Sequence, residues 1–316
     1  WTADWQIIPE KEKVIKNLKK AAKQVDHIYL ATDLDREGEA IAWHLKEALG
    51  SEKYNYSRVR FNQITKSAIV DSFSDPKEID LDLVKAYRAR RFLDKVIGFE
   101  LSPLLWKKIA RGLSAGRVQS VALRVLDERE RLIQEFIPEE FWEVSITLDK
   151  SNLSITFSLN RKKSDPLLKE DEARNIENLV NKSDLSIDEI TKKPVKAKPR
   201  PPFITSTLQQ AASTKLSFGV KRTMRVAQKL YEAGHITYMR TDAPSLSKES
   251  IQDARNFINE RIGEKYLTNA PRIYSSTENA QEAHEAIRPT NAFMTADDLL
   301  NQSEEEKRLY QLIWQQ

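Results

Sequence analysis

Helical and strand patterns alternate at the start of the chain, and this alternation limits the folds that it can adopt. Apolar residues recur at helical spacing in Lys11–Val25, and a short apolar run follows at His27–Thr32. Glu39–Leu49 again has a helical pattern, Arg58–Asn62 is a second strand candidate, and a helix is predicted from Thr65. Such alternation predicts an α/β domain with a parallel sheet, whose ligands bind beyond the carboxyl ends of the strands.

Three acidic residues, Asp33, Asp35 and Glu37, follow the first predicted strand. In an extended turn, alternate side chains point one way, and three converging carboxylates require a cation. Mg²⁺ held by one or two of them, with its remaining waters, would meet that requirement. An EF-hand loop is excluded, because its twelfth position requires Glu and is His44 here. Capping of a helix N-terminus remains an alternative for one or two of the acids.

Basic residues are concentrated in two stretches, although the net charge of the chain is only +4. Residues 85–117 contain nine Lys or Arg against two acids, and residues 190–225 contain nine and no acid. This distribution indicates a surface for a polyanion, with ordinary solvated helix faces as the alternative. A long helix is predicted over Asp80–Gly98, and its basic face comprises Lys85, Arg88, Arg90, Arg91 and Lys95.

The segment after this helix contains a loop of small residues that precedes another helix. Leu101–Ile109 is predicted to be helical after a break near Ser102-Pro103, and Val118–Gln134 is also predicted to be a helix. Between them, small residues between Arg111 and Arg117 would let the backbone approach a phosphate near a helix N-terminus. A flexible connection is an equal alternative.

The remainder of the chain is predicted to contain a hairpin, a linker and a helical region. The predicted elements are strands at Phe141–Leu148, Leu153–Leu159 and Leu185–Thr191, a linker at Lys192–Pro202, and helices at Asp171–Val180, Phe203–Leu216, Val220–Ala233, Ser245–Ile262 and Glu304–Gln316. Thr205 or Ser206 is the predicted cap of the first helix after the linker.

Tyr238 and Arg240 lie two residues apart in a segment that follows a helix end at Gly234. In an extended segment both side chains face one site, where Arg would bind a phosphate and favour a phenolate able to attack a phosphodiester. A core tyrosine with a surface arginine is the alternative. In the predicted helix Glu282–Pro289, His284 and Arg288 share one face and suggest a phosphate clamp, with a surface histidine as the alternative.

Composition excludes several classes of protein. The chain has no cysteine and only four histidines, which excludes disulfides, a thiol nucleophile and Cys-ligated zinc and favours a hard, oxygen-bound metal. No apolar run approaches the ~20 residues of a membrane span. We therefore expect a cytoplasmic globular protein. The first residue, Trp1, and the helical pattern that runs to Gln316 indicate a piece of something longer.

Three motifs in this order resemble the type IA DNA topoisomerases, in their bacterial topoisomerase I branch. They are Asp33-x-Asp35-x-Glu37, Ser114-Ala-Gly-Arg-Val-Gln-Ser120 and Tyr238-Met-Arg240, with further similarity in Ser102–Leu113, Pro202–Ala212 and Gln281–Pro289. The similarity covers essentially the whole chain. The topoisomerase III branch is the alternative within the family.

The resemblance implies a multidomain fold of α/β and α domains. Residues 1–79 would form a Toprim-like metal-binding domain with a parallel sheet, and residues 80–136 a helical DNA-binding domain. Residues 137–200 would form a small β-rich arch segment with a linker, and residues 201–316 a mainly helical domain that carries the catalytic tyrosine.

The resemblance also implies the reaction and the residues of its site. Tyr238 would cut one DNA strand and become linked to its 5′ phosphate, Arg240 would steady the scissile phosphate, and Glu37 and His284 would belong to the catalytic site. Asp33, Asp35 and Glu37 would bind Mg²⁺. The expected DNA-binding residues are Arg36, Arg90, Arg91, Lys95, Arg117, Gln119, Asp242 and Arg288.

The implied activity is ATP-independent relaxation of negatively supercoiled DNA by strand passage and Mg²⁺-dependent resealing. A monomer that acts on single-stranded segments at the nucleoid is expected. In the family, a first Toprim strand with a catalytic glutamate and a lysine would precede Trp1, and arch, hinge and zinc-binding regions would follow Gln316. We therefore expect that this piece alone does not relax DNA. A non-catalytic DNA-binding piece and a Toprim primase or nuclease are the alternatives.

Overall fold

The computed structural model describes residues 4–150, 153–195, 197–274 and 285–316. The chain forms two compact units, of which the first combines Trp1–Lys95 with Lys198–Gln316 and the second is Val96–Ala197. Both helices and sheets are present, as the prediction of a multidomain α/β fold requires. The division into four domains stays a prediction.

The beginning of the first unit contains the predicted parallel sheet. Helix α1 (Pro9–Ala22), strand β1 (His27–Leu30), helix α2 (Arg36–Leu49) and strand β2 (Asn55–Arg58) follow in order. The two strands are parallel, with His27 opposite Asn55 and Leu30 opposite Arg58. The second strand was expected at Arg58–Asn62 but spans Asn55–Arg58, and the carbonyl of Asn62 beyond it accepts the amide of Tyr238.

The side chain of Arg58 fixes the end of this sheet. It is fully buried and its Nε lies 2.9 Å from Oε2 of Glu39 in α2, which is also fully buried. The guanidinium also donates to the carbonyl oxygens of Leu30, at 2.9 Å, and Asp33, at 2.5 Å. A buried ion pair needs such additional hydrogen bonds to offset desolvation. Arg58 at the end of β2 therefore holds the loop after β1 in position.

Helix α3 (Lys66–Ser74) begins after Thr65, as predicted, and α4 (Leu81–Val96) follows it. A π-helical turn at Ile97–Leu101 then runs directly into α5 (Ser102–Lys108). The predicted break at Ser102-Pro103 is therefore wrong. Pro103 lies at the start of α5, directly after the π-helical turn, and proline is common at the first position of an α-helix.

The second unit continues with α6 (Gln119–Gln134) and an antiparallel hairpin of β3 (Ser145–Lys150) and β4 (Leu153–Ser158), which confirms the predicted hairpin. Helix α7 spans Glu170–Lys182. The strand predicted over Leu185–Thr191 is wrong, because this segment is irregular and exposed throughout and pairs with no strand among the described residues.

Among the described residues, the rest of the first unit contains four helices. They are α8 (Thr205–Leu216), α9 (Val220–Glu232), α10 (Lys248–Phe257) and α11 (Glu304–Gln315), accompanied by a π-helical turn at Ile258–Ile262 and 3₁₀ turns at Glu264–Tyr266 and Ala296–Asp298. The predicted cap of α8 is wrong, since its N-cap is Ile204, whose amide donates to the Thr207 hydroxyl at 3.0 Å. Tyr238 and Met239 belong to the hydrophobic core of this part.

The described part of the predicted helix at Glu282–Pro289 is extended, so that prediction is wrong for residues 285–289. Ile287 pairs with Phe203, and Pro289 pairs with Ile236. Proline disfavours a helical residue before it, and these bridges supply the backbone hydrogen bonds instead. Over the described ranges, every helix is too short or too polar to cross a membrane.

Candidate active site

A glycine turn brings the chain from α9 into the site. Gly234 has φ of 77°, and its amide donates to the carbonyl of Tyr231 at 2.8 Å. A Cβ at this position would lie 2.5 Å from the carbonyl oxygen of Ile64, so both the conformation and the space require glycine. The predicted end of the helix at Gly234 is confirmed, and the turn directs the next residues toward the loop after β1.

Tyr238 lies in the core with only its hydroxyl group reaching the polar site. Its side chain is almost fully buried and its ring packs edge-on against Tyr231, with centroids 5.2 Å apart. Its amide donates to the carbonyl of Asn62 at 2.8 Å. The hydroxyl donates to Oδ2 of Asp35 at 2.8 Å. Tyr238 is thus both a core residue, which was the alternative interpretation, and a residue of the polar site. A tyrosine can do both because its ring packs in the core while its hydroxyl group is polar.

Asp35 joins the tyrosine segment to the N-terminus of α2. Its Oδ1 accepts the amide of Gly38 at 2.8 Å, which makes it the helix N-cap. Its Oδ2 accepts both the Tyr238 hydroxyl and Nη1 of Arg240, the latter at 3.3 Å. The predicted convergence of Tyr238 and Arg240 on one site is therefore confirmed.

The phenol is held in its protonated form. Burial raises the pKa of Tyr238 well above its ordinary value, and the hydrogen bond to Asp35 and the charge of Asp33 raise it further. Arg240 lowers the pKa, but by less than these groups raise it. Burial also raises the pKa of Tyr231 to about 12. The expectation that Arg240 favours the phenolate form of Tyr238 is wrong, because the loss of hydration on burial has the larger effect on the pKa.

The three acids do not share an extended turn, and that prediction is wrong. Because Asp35 caps α2, Glu37 lies in the first turn of the helix, where its carboxylate is 3.9 Å from Arg36 and 3.8 Å from Arg90. The capping alternative is confirmed for Asp35. Burial, and then repulsion from Asp35, raises the pKa of Asp33. In the part of the chain that the structure describes, no group of three or more acids or histidines is close enough to hold a metal ion.

Gly38 lets the first turn of α2 lie directly on the loop after β1. A Cβ there would overlap the carbonyl oxygen of Asp33, so any larger residue would push the helix away. The Thr32 hydroxyl also donates to the carbonyl of Gly38 at 2.6 Å. Close packing at Gly38 thus sets the spacing between Asp33 and Asp35.

An open cleft of about 710 Å³ lies beside Asp35. It is lined by the first turns of α2 and α8, by Arg90 and by residues 240–242. The side chains of Arg36, Arg90 and Arg240 are 45%, 44% and 53% exposed. Two helix N-termini and three accessible guanidinium groups can bind an anion such as a phosphodiester in this cleft, which is also lined by the carboxylates of Asp35, Glu37 and Asp242.

The other predicted site residues are distributed over both units. Asp242 lines the cleft, and Arg91 and Lys95 are exposed on α4 in the first unit. Arg117 and Gln119 belong to the second unit, before and at the start of α6. His284 lies outside the described residues.

Arg288 faces the protein interior. Its side chain is 15% exposed and donates to Glu285 at 2.6 and 3.0 Å and to the carbonyl of Pro289. The helical face that suggested a phosphate clamp does not exist in this extended segment. A role for Arg288 in DNA binding stays a prediction.

Glu285 is a site residue that the sequence interpretation missed. Its buried carboxylate accepts Nδ2 of Asn62 and the amide of Ser247, each at 2.8 Å. Burial raises its pKa, but the hydrogen bonds and charge of Arg288 outweigh burial and hold the pKa below its ordinary value. Asn62 and Arg288 in turn accept the amides of Tyr238 and Thr237 with their carbonyl oxygens. Glu285 therefore supports the backbone of the tyrosine, and only its spacing of three residues from Arg288 could have suggested it.

Comparisons with known proteins identify the family to which this chain belongs. A family model described as DNA topoisomerase matches residues 78–316, and a Toprim domain model matches residues 3–64. The chain is 53% identical over 319 aligned residues to DNA topoisomerase 1 of Vibrio cholerae, covering 100% of this chain and 36% of that protein. It is 52% identical to DNA topoisomerase 1 of Escherichia coli, with 100% and 37% covered.

A solved structure is also similar. Full-length topoisomerase I from Thermotoga maritima matches with a TM-score of 0.79 and 38% identity, over 99% of this chain and 52% of that chain. The chain spans a little more than a third of the length of the two relatives above. Because the DNA topoisomerase model covers most of its residues and a Toprim domain precedes it, this chain belongs to the type IA DNA topoisomerase family.

Proposed function

We propose that this chain carries the strand-cleavage site of a DNA topoisomerase, with Tyr238 as the nucleophile. The observation that carries the proposal is the meeting of the Tyr238 hydroxyl and Arg240 on Asp35, beside an arginine-lined cleft. The phenol oxygen would attack the phosphorus of a DNA phosphodiester. A bond from Tyr238 to the 5′ phosphate would form while the bond to the 3′ oxygen breaks.

Asp35 would receive the phenol proton in this proposal. The pKa of Tyr238 lies above its ordinary value, so a free phenolate is scarce at neutral pH and the proton must leave during attack. The carboxylate of Asp35 already accepts that proton in a hydrogen bond of 2.8 Å. The departing 3′ oxygen gains a proton from solvent and becomes a hydroxyl, and the proton on Asp35 returns to solvent. In the reverse step this hydroxyl attacks the phosphotyrosine, and since one phosphoester replaces another, resealing needs no ATP.

Arginine would stabilise the charge that builds up on the phosphoryl oxygens. Arg240 reaches Asp35 at 3.3 Å and is 53% exposed, so its remaining donors can face a phosphate. Arg36 and Arg90 line the same cleft. Preorganised donors of this kind are typically worth ~10²–10³ in rate for each one removed.

The acidic residues fit a Mg²⁺ ion that keeps several waters. The pKa of Asp33 is raised by burial and by Asp35, and a cation would relieve the repulsion between the two carboxylates. Mg²⁺ keeps most of its waters and needs only one or two protein carboxylates. We propose that one or two of Asp33, Asp35 and Glu37 would serve as its ligands. When bound, the ion would align the phosphate and the 3′ hydroxyl for resealing.

The remaining parts of the proposal concern the whole protein. We propose relaxation of negatively supercoiled DNA by passage of one strand through the break, by a monomer that acts on single-stranded segments at the nucleoid. The chain would have the four domains predicted from the sequence. His284 would belong to the catalytic site. Further DNA contacts would come from Arg91, Lys95, Arg117, Gln119, Asp242 and Arg288. A supercoil relaxation assay on the 316-residue chain tests the expectation that it is inactive alone.

The experiment that tests the cleavage site uses a single-stranded oligonucleotide labelled at its 3′ end, so that the labelled product stays attached to the protein. With Mg²⁺ and a denaturing gel, we expect a slow, protease-sensitive band that is lost in Tyr238→Phe. Tyr231→Phe is the matched control, since it removes the neighbouring hydroxyl and should keep the band. A band that persists in Tyr238→Phe would overturn the assignment.

Binding without cleavage is the second candidate, and the burial of Tyr238 favours it, because a packed phenol has restricted access to a phosphate. In the same experiment this function predicts no covalent band but oligonucleotide binding that weakens steeply with salt. Charge reversal at Arg36 and Arg90 should then abolish binding.

A further inference from the structure

The backbone on both sides of Arg240 is held by one residue, Thr205, at the start of α8. The Thr205 hydroxyl donates to the carbonyl oxygens of Met239, at 2.8 Å, and Thr241, at 3.0 Å, which share its single proton. The same oxygen accepts the amide of Thr241 at 2.9 Å. The backbone amide of Thr205 also donates to the carbonyl of Thr241 at 3.0 Å.

These contacts replace the ladder that an extended segment usually has. Residues 239–241 belong to no strand, so their backbone groups depend on this helix for hydrogen bonds. Met239 and Thr241 are buried, whereas Arg240 between them is 53% exposed on its side chain. An exposed arginine is not fixed by packing. Its aim toward Asp35 therefore depends on the backbone from which it projects.

Helix capping does not account for the Thr205 hydroxyl. The N-cap of α8 is Ile204, and its amide is satisfied by the hydroxyl of Thr207 at 3.0 Å. The hydroxyl of Thr205 instead makes all its hydrogen bonds to the segment that carries Arg240. Two threonines in one helical turn thus serve different purposes.

We propose that Thr205 is a positioning residue for Arg240 in strand cleavage, an inference that rests on the proposed function. Its hydroxyl fixes the two peptides that flank Arg240, so that the guanidinium meets the scissile phosphate in the cleft beside Asp35. Misplacement of a catalytic group by about 1 Å can cost ~10²-fold in rate. Thr205 also lines the cleft, but the role inferred for it is indirect and acts through the orientation of Arg240.

The test is made in the full-length protein with Thr205→Val, which keeps the shape of the side chain and removes its hydroxyl. We expect the single-turnover rate of covalent adduct formation to fall ~10- to 100-fold, while the Kd for the oligonucleotide changes less than about threefold. Thr205→Ser should restore the rate to within about threefold of the original protein. Thr207→Val removes a hydroxyl from the same helical turn without touching residues 239–241, and should leave the rate unchanged.

A double-mutant cycle separates positioning from a loss of fold. In an Arg240→Ala background, Thr205→Val should reduce the rate less than about twofold further, because the group that it positions is gone. If Thr205→Val is unfolded at the assay temperature, Thr205→Ala, which also lacks the hydroxyl and favours helix, takes its place.

The inference is overturned if Thr205→Val cleaves at the original rate or if Thr207→Val is equally slow. It is also overturned if Thr205→Val slows the Arg240→Ala variant by the same factor as it slows the original protein. The proposed function fails separately, by the absence of an adduct in the original protein or by its persistence in Tyr238→Phe.

Discussion

The hydroxyl of Tyr238 donates a hydrogen bond of 2.8 Å to Asp35, a residue 203 positions away in the chain. Burial and this hydrogen bond keep the phenol protonated, and the same carboxylate caps helix α2. Asp35 therefore accepts the hydrogen bond of the phenol, caps α2 and binds Arg240. Each of these roles can be separated by substitution.

Asp35→Asn should stop cleavage without unfolding the protein. Asparagine caps helices about as well as aspartate, so we expect the free energy of unfolding to change by less than about 1 kcal/mol. The amide cannot accept the phenol proton as a base, and adduct formation should fall at least ~10²-fold, in the range of lost general-base catalysis. Quenched single-turnover assays and thermal unfolding measure the two quantities.

The matched variant is Asp35→Ala, which also removes the cap and should be less stable than Asp35→Asn by ~1 kcal/mol. Full cleavage activity in Asp35→Asn would exclude Asp35 as the proton acceptor.

The raised pKa of Tyr238 predicts a tyrosine that resists alkaline titration. Because burial and the hydrogen bond both favour the neutral phenol, Tyr238 should remain protonated at a pH where exposed tyrosines, with pKa near 10, have ionised. The ultraviolet absorbance of tyrosinate, compared between the original protein and Tyr238→Phe, gives its titration as a difference. If that difference shows a group with a pKa at or below 10, the phenol is not held as described.

Arg240→Ala should lower the cleavage rate by ~10²–10³-fold, the typical loss for one preorganised donor to a developing oxyanion. The side chain is 53% exposed, and its ion pair with Asp35 should contribute less than about 1 kcal/mol to stability. Arg225→Ala is a control, since Arg225 is 66% exposed and also pairs with a carboxylate, that of Glu305, at 3.7 Å. An equal loss of cleavage in both variants would point to general charge rather than to this site.

Gly234→Ala should be strongly destabilising. The φ of 77° costs a non-glycine residue on the order of 1 kcal/mol, and the added Cβ would lie 2.5 Å from the carbonyl oxygen of Ile64. We expect the midpoint of denaturant unfolding to fall, with cleavage impaired because the turn leads into the Tyr238 segment. Gly219→Ala is the control, since its Cβ meets nothing within 4 Å and its φ of −66° suits alanine. Comparable midpoints for the two variants would contradict this account of the turn.

Local patterns in the sequence predicted much of this site, because they depend on neighbours along the chain. The parallel strands, the helix end at Gly234 and the convergence of Tyr238 with Arg240 all follow from periodicity or from spacing of two residues. The start of α2 at Arg36 could not be predicted from local pattern, since the same sequence allows Asp35 either to cap a helix or to lie in an extended turn.

Other features depend on contacts between distant parts of the chain. Asn62 meets Glu285 across 223 positions, and Thr205 meets Thr241 across 36. The pKa shift of Tyr238 was predicted in the wrong direction for the same reason. Burial, which raises this pKa, depends on the packed core, whereas the prediction considered only the nearby Arg240. Residues that position the site are therefore harder to find from sequence than those that touch the substrate.

Glu285→Gln should weaken both the fold and the site. Removing one partner of a buried ion pair leaves the other uncompensated, at a cost of ~3–5 kcal/mol, and Arg288 is only 15% exposed. The pKa of Glu285 is held below its ordinary value, so the carboxylate contributes stability above its unfolded pKa of 4.5. That contribution is lost as pH falls from this value through the lower folded pKa.

The free energy of unfolding, measured from pH 7 to pH 3, should therefore fall less steeply with acid in Glu285→Gln than in the original protein. Glu260→Gln, at an exposed carboxyl, is the control and should follow the original protein. Because Asn62 and Arg288 hold the backbone of Tyr238 and Thr237, adduct formation should also slow in Glu285→Gln under conditions where the variant is fully folded. Parallel acid curves for Glu285→Gln and the original protein would show that the buried carboxylate does not carry this linkage, and an unchanged cleavage rate would separate it from the tyrosine.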